Sequence, residues 1–219
     1  MTIPITLHLQ IKFTKNIIHF CLLGVLLLAS HASLWAADTI TLVMSTSAGD
    51  IRIETYPQDA PKTVENFLKY VDSDHYNNAS FYRVVRMDNQ EQNQVKIEVI
   101  QGGMQIESEG LPFEAITHES TQATGIKHLN GVISMARGEP GTAASEFFIC
   151  VNDQPELDFG GQRNPDGLGF AAFGRVIEGM DVVRTIQDMN TEPPEGELEY
   201  TSGQMLLEPV IIYDISRAD

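Results

Sequence analysis

The sequence predicts a mainly β domain carrying two helical caps. Short runs of alternating apolar and polar residues recur along the chain, separated by glycine-rich turns. Two further segments place apolar residues on one helix face. A composition of 42% hydrophobic and 20% charged residues is that of a globular chain, not a disordered one. The 219 residues suit one domain, or one domain behind a removable leader.

In chain order, the first element is a hairpin over Thr39 to Glu54. Ile40, Leu42 and Met44 alternate with Thr and Val, Ser47-Ala48-Gly49-Asp50 supply the turn, and Ile51 and Ile53 alternate with Arg52 and Glu54. A helix follows. Pro61 suits its first turn, where a missing N–H costs nothing. Val64, Phe67, Leu68 and Val71 form its apolar face, and Asp72-Ser73-Asp74 end the pattern. Phe81 to Val85 reads as a strand, and Met87 to Gln94 as a polar loop. Lys96 to Gln101 resumes a strand that Gly102-Gly103 ends. Leu111 to Leu129 is mostly irregular. Strands are expected over Gly131 to Ala136, Glu146 to Val151 and Phe170 to Val176, with small-residue loops at 138–144 and 160–169. The second helix runs from about Met180 to Met189, with Val182, Val183, Ile186 and Met189 on its apolar face. Thr191 to Gly203 is an acidic, exposed loop, and Leu206 to Ile215 is the closing strand. The pattern leaves a closed barrel and a two-sheet sandwich equally open.

The first residues differ in kind. Lys12 and Lys15 are the only charges before Asp38, and they precede an apolar run from Ile17 to Ala29. Small residues then lead to Leu34-Trp35-Ala36-Ala37. Basic stretch, apolar stretch and small-residue exit make a secretory signal peptide over residues 1–36, leaving a domain over 37–219. Cleavage is expected after Ala36, with Ala37 or Ala32 as alternatives. A single N-terminal anchor helix is the competing reading, disfavoured by the short apolar run. Without the leader the chain keeps 12 basic and 30 acidic residues, a formal charge of −18. Such a charge disfavours nucleic acid and anionic membranes as partners. Only Cys150 remains, so no intrachain disulfide forms, and its apolar setting reads as core.

No nucleophile elbow, zinc motif, Cys-x-x-Cys or phosphate loop occurs. His75, His118 and His128 are scattered, so no metal is assigned, and no cofactor is expected.

What stands out is an ordered set of segments: Ala60-Pro61-Lys62-Thr63-Val64-Glu65-Asn66-Phe67, Phe81-Tyr82-Arg83-Val84-Val85, Ile100-Gln101-Gly102-Gly103, Gly131-Val132-Ile133-Ser134-Met135-Ala136, Ser145-Glu146-Phe147-Phe148-Ile149, and Phe173-Gly174-Arg175-Val176-Ile177-Glu178-Gly179-Met180-Asp181-Val182-Val183. Each is weak alone. All six in order resemble the cyclophilin family, from about Thr41 to Ile215. The resemblance implies a closed eight-stranded antiparallel β-barrel capped by two α-helices, and peptidyl-prolyl cis-trans isomerase activity on proline-containing segments; with the signal peptide, the expected place of action is the periplasm, on exported proteins. It implies a monomer.

Such chemistry needs no nucleophile. The X–Pro bond resists rotation with a barrier of roughly 18–20 kcal/mol because amide resonance must be lost. A fixed donor aimed at the twisted prolyl nitrogen stabilises the top of that barrier more than either planar form. By resemblance, Arg83 is the essential arginine, and Gln101 beside it hydrogen-bonds the substrate backbone. Phe148 and Leu157 wall the proline slot, with Val99 near a third wall. Met135 and Ala136 frame the neighbouring groove, and Glu146 and Phe170 stand at further substrate positions. Read singly, Arg83 suits a cross-strand ion pair, and Phe148, Leu157 and Val99 suit ordinary core.

The chain departs from the family pattern in places. Glu98 and Val99 replace a Phe–Met pair, after an inserted loop from about Met87 to Val95. Glu146 replaces Gln, Arg137 replaces Asn, Glu156 replaces Trp or Phe, and Phe170 replaces His or Tyr. Three expectations follow: a less aromatic pocket, poor binding of cyclosporin-like ligands, and an ion pair between Glu146 and Arg83. A binding module that holds proline-containing segments without catalysis is the alternative function, and a secreted sandwich interaction domain a remoter one.

Overall fold

The computed structural model describes residues 39–105, 110–193 and 200–218. The expected leader, with Cys21 and Trp35, and the middle of the acidic loop lie outside them. The compact unit spans Ala37–Asp219.

Eight strands form a closed antiparallel barrel, which decides between barrel and sandwich. They are β1 (Ile40–Thr46), β2 (Gly49–Thr55), β3 (Ser80–Val85), β4 (Val99–Gly103), β5 (Val132–Met135), β6 (Phe147–Cys150), β7 (Ala171–Glu178) and β8 (Met205–Arg217). The order around the barrel is β1-β2-β7-β5-β6-β4-β3-β8. Closure leaves no edge strand unpaired. Among the described residues the α-helices are α1 (Pro61–Asp72), a single-turn α2 (Thr121–Thr124) and α3 (Met180–Gln187). Neither α2 nor the 3-10 turn at Pro155–Leu157 was legible in the sequence, because one turn is too short to show a period.

Period-two alternation sorts the side chains into two apolar clusters. Leu42, Met44, Ile51, Ile53, Phe81, Ile100, Ile133, Phe147, Ile149 and Phe173 point into the barrel. Phe67 of α1 reaches the same interior, with its ring 5.5 Å from Phe147 and 5.0 Å from Phe173. Val183 and Ile186 of α3 join it. The opposite parity sends Val85, Val99, Phe148 and Cys150 outward, where Ile97, Leu157 and Phe170 cover them in a second cluster. Cys150 is therefore buried, as expected, but outside the barrel core. Among the described residues, no helix is long and apolar enough to cross a membrane.

Candidate active site

The second cluster floors a cleft on the barrel wall. Strand register brings its residues together: Arg83 lies opposite Gln101, and Gln101 opposite Phe148. The next outward row pairs Val85 with Val99 and Val99 with Cys150. Three sequence-distant strands thus present a guanidinium, an amide and a phenyl ring side by side.

Arg83 is buried at 8% exposure. Its Nε and Nη2 both donate to Gln204 Oε1, at 2.9 and 2.6 Å, and Nη1 donates to Gln101 Oε1 at 2.8 Å. Burial lowers the Arg83 pKa, partly offset by interaction with Tyr200. A guanidinium still holds its proton under these conditions. Two protein oxygens therefore fix its plane, and three of its five N–H groups are engaged by them.

Gln101 is oriented from its other end. Its Nε2 donates to the Tyr82 hydroxyl at 2.7 Å, and Tyr82 donates to Glu146 Oε2 at 2.6 Å. Burial first, then the Glu146 charge, raise the Tyr82 pKa well above the ordinary tyrosine value, so Tyr82 stays a donor. Glu146 does not pair with Arg83, contrary to expectation. Its carboxylate accepts instead from Tyr82, from the Gln105 backbone N–H at 2.9 Å and from Ser145 at 3.2 Å. The carboxylate also occupies the space beside Gly103 (φ +152°), where an added Cβ would lie 2.5 Å from it. Glu146 acts on Arg83 only through the chain Glu146–Tyr82–Gln101.

The apolar slot has a cavity volume of about 90 Å³. Sites enclosing a drug-sized ligand run to roughly 300–1,000 Å³, so this one suits a single small side chain. Val99, Ala136, Phe148, Leu157 and Phe170 line it beside Arg83 and Gln101, and Ala136 borders the adjoining groove as well. Val85 and Ile97, which sequence reasoning passed over, add two more apolar walls. Met135 is a correction: it pairs with Phe147 and is buried in the barrel core, because parity turns it inward while Ala136 faces the slot. Phe170 meets Phe148 edge-on at 5.3 Å, and the Arg137 guanidinium sits 5.3 Å from the Phe170 ring. Arg137 is engaged by Asp166 (2.8 and 3.0 Å) and the Gly169 carbonyl (2.9 and 2.6 Å). It holds the wall rather than offering a charge.

Beneath Phe148 lies a buried polar group that the sequence left scattered. His128 stacks on Phe148 at 5.9 Å. Its Nδ1 is 2.9 Å from Asp158 Oδ1 and its Nε2 is 3.0 Å from Ser134 Oγ. Burial lowers the His128 pKa, so the ring is neutral, donating from Nδ1 to the carboxylate and accepting from Ser134. Ser134 is fully buried, so the trio braces the slot and presents no nucleophile to a substrate. Among the described residues, no cluster of His, Cys, Asp and Glu could hold a metal ion.

The site can therefore bind a small apolar ring beside a rigid, charged, multi-donor group in a partly dry setting. Gln204 and Tyr200, both supplied by the segment before β8, were missed because that segment reads only as an acidic loop.

Comparison with known proteins agrees with this arrangement. The family model described as cyclophilin type peptidyl-prolyl cis-trans isomerase/CLD matches residues 41–213. A peptidyl-prolyl cis-trans isomerase of Streptomyces antibioticus is 36% identical over 178 residues, covering 78% of this chain and 95% of that protein. Peptidyl-prolyl cis-trans isomerase A of Dickeya dadantii is 37% identical over 175 residues, covering 77% and 82%. A crystal structure of a Cryptosporidium parvum cyclophilin type isomerase superposes with a TM-score of 0.60 at 22% identity, covering 83% of this chain and 98% of that one. With its barrel closed and its motifs in order, the chain belongs to the cyclophilin-type peptidyl-prolyl cis-trans isomerase family.

Proposed function

We propose that this isomerase turns X–Pro bonds in exported proteins, with Arg83 as the catalytic donor and Gln101 as its hydrogen-bonding partner. The observation that carries the assignment is the row Arg83–Gln101–Phe148, which sets a fixed guanidinium against an apolar slot of proline size. The proline ring enters the slot, and the peptide carbonyl and prolyl nitrogen lie at Arg83. As the bond twists, the nitrogen lone pair localises and Arg83 hydrogen-bonds to it. Planar amides lack that lone pair, so the contact favours the twisted form. Gln204 and Gln101 hold the guanidinium in place beforehand, so little reorganisation is spent during the turn.

A Cryptosporidium parvum relative of the same fold has been solved in the presence of the dipeptide Ala-Pro, which supports proline-containing peptides as the ligand class. Export rests on Lys12, Lys15, the apolar run and the Ala36-Ala37 exit, and the compact unit that begins at Ala37 suits release there. The released domain acts as a monomer in the periplasm.

Two measurements on one expression culture test this. The protein recovered from the periplasm should begin at Ala37 by N-terminal sequencing, and it should accelerate isomerisation of a short X–Pro peptide. Arg83→Ala should lose about a hundredfold in kcat/KM, the scale of one transition-state donor. A chain retained in the cytoplasm with Met1 intact sinks the export reading. Equal rates for wild type and Arg83→Ala sink the catalytic one, and tight peptide binding without acceleration would favour the binding module.

A further inference from the structure

The inserted loop and the acidic loop, two stretches without a counterpart in the motifs above, meet over the active site. Gln92 of the insert donates to the backbone oxygens of Tyr200 (3.1 Å) and Ser202 (3.3 Å). Asn89 donates to the Gly203 carbonyl at 3.2 Å, and Gln204 donates back to the Asn89 carbonyl at 3.2 Å. Gln90, itself fully buried, clasps both ends of the insert through Arg86 and Ile97 and accepts from Arg163. These bonds place the Tyr200 ring 5.0 Å from the Arg83 guanidinium carbon and 5.5 Å from that of Arg163. Arg163 also donates to the Tyr200 hydroxyl at 3.4 Å.

Tyr200 borders both the proline slot and the adjoining groove, together with Arg83, Gln101, Ala136 and Arg137. It remains 54% exposed, so part of the ring faces the opening where substrate must pass. The aromatic residues absent from the family positions are not replaced locally. Glu98 turns to Asn152 and Glu156 to the backbone of Gln162, and neither lines the slot.

We propose that Tyr200 is a specificity-determining wall of the site, an aromatic surface for the side chain that precedes proline. The twisting amide sits at Arg83. The Tyr200 ring lines the groove that leads away from the slot past Arg83, Gln101 and Ala136, and the chain before proline lies along that groove. Apolar and aromatic residues before proline gain an aromatic contact there, and glycine gains none.

Isomerisation of two peptide sets tests this, one varying the residue before proline (Gly, Ala, Leu, Phe) and one varying the residue after it. Wild type, Tyr200→Phe and Tyr200→Ala are compared, with circular dichroism to verify folding. Tyr200→Phe should stay within about twofold of wild type throughout, because the ring is kept. Tyr200→Ala should lose roughly three- to tenfold in kcat/KM on Phe-Pro and Leu-Pro, the scale of one aromatic contact, and at most twofold on Gly-Pro. A uniform loss across the first set would make Tyr200 a mere brace for Arg83 and overturn the proposal. So would no loss, or a loss that follows the residue after proline.

Discussion

At the residue scale, the proposed catalysis depends on how few ways Arg83 can point. A long, flexible side chain loses rotamer entropy when fixed, so other contacts must hold it. Gln204 does most of this, accepting two N–H groups on one oxygen while itself fully buried. Gln204→Leu should leave buried donors unpaired, costing roughly 1–3 kcal/mol of stability. Its kcat/KM should drop about ten- to hundredfold, since small misplacements of a catalytic group are expensive. Glu146→Gln makes the contrast. The amide oxygen still accepts from Tyr82, so the rate should change less than about threefold. Comparing both variants in the peptide assay at equal folded concentration separates direct holding of Arg83 from holding through Gln101. A larger defect in Glu146→Gln would reverse that order.

At the element scale, α1 is capped from outside itself. Ala60 offers no side-chain acceptor, and the first turn of the helix carries no acidic residue. Glu119, far along the chain, supplies the cap: its Oε1 accepts from the Lys62 N–H at 3.2 Å, and its Oε2 from the Thr63 N–H at 2.8 Å and hydroxyl at 2.7 Å. A carboxylate at a helix N-terminus satisfies orphan donors and complements the dipole. The same contact pins the irregular stretch between β4 and β5 to α1. Glu119→Ala should cost about 0.5–2 kcal/mol in urea unfolding and leave kcat/KM unchanged, because the cap touches no residue of the slot. An unaltered unfolding midpoint would mean that the cap contributes nothing.

Across the whole molecule, acid should weaken the fold through the buried pair His128 and Asp158. Burial holds the His128 pKa below its ordinary 6.5. For Asp158, burial pushes upward, but the side-chain and backbone hydrogen bonds from His128 and the nearby Lys127 charge outweigh it, and its pKa lies below 3.8. The unfolded chain therefore binds more protons than the folded one at both groups as pH falls. The His128 contribution is fully present above about pH 6.5 and is lost as pH drops through the folded value; the Asp158 contribution is present above about pH 3.8 and is lost below it. Melting temperature measured from pH 8 to pH 4 should be flat at first and then decline below about pH 6.5. His128→Gln should be less stable at pH 8 but lose the part of the slope that begins near pH 6.5. A wild-type curve that rises on acidification would contradict this sign.

Much of the fold was legible because its signals are local. Alternation within Ile40–Met44 and Ile51–Ile53, the apolar face from Val64 to Val71 and the order of six motifs all lie within short stretches, and they led to the eight strands, both long helices and the family. Arg83, Gln101 and Phe148 lie in those motifs, and Leu157 came with the family resemblance. Barrel closure came only as what the family resemblance implied, since alternation within a strand does not name its partner in the sheet. Strand parity also separated Met135 from Ala136, and register set Arg83 beside Gln101 and Phe148. The partner of Glu146, the brace at His128 and the approach of Gln204 and Tyr200 to Arg83 were likewise decided only in three dimensions. These contacts join residues tens of positions apart through loops without periodicity, and no pattern within either segment specifies the other. The sequence by itself determined the eight strands, the two longer helices and the family of the chain. The tertiary structure alone decided that Gln204 joins Gln101 in holding Arg83, because that depends on packing between segments that the chain order keeps apart.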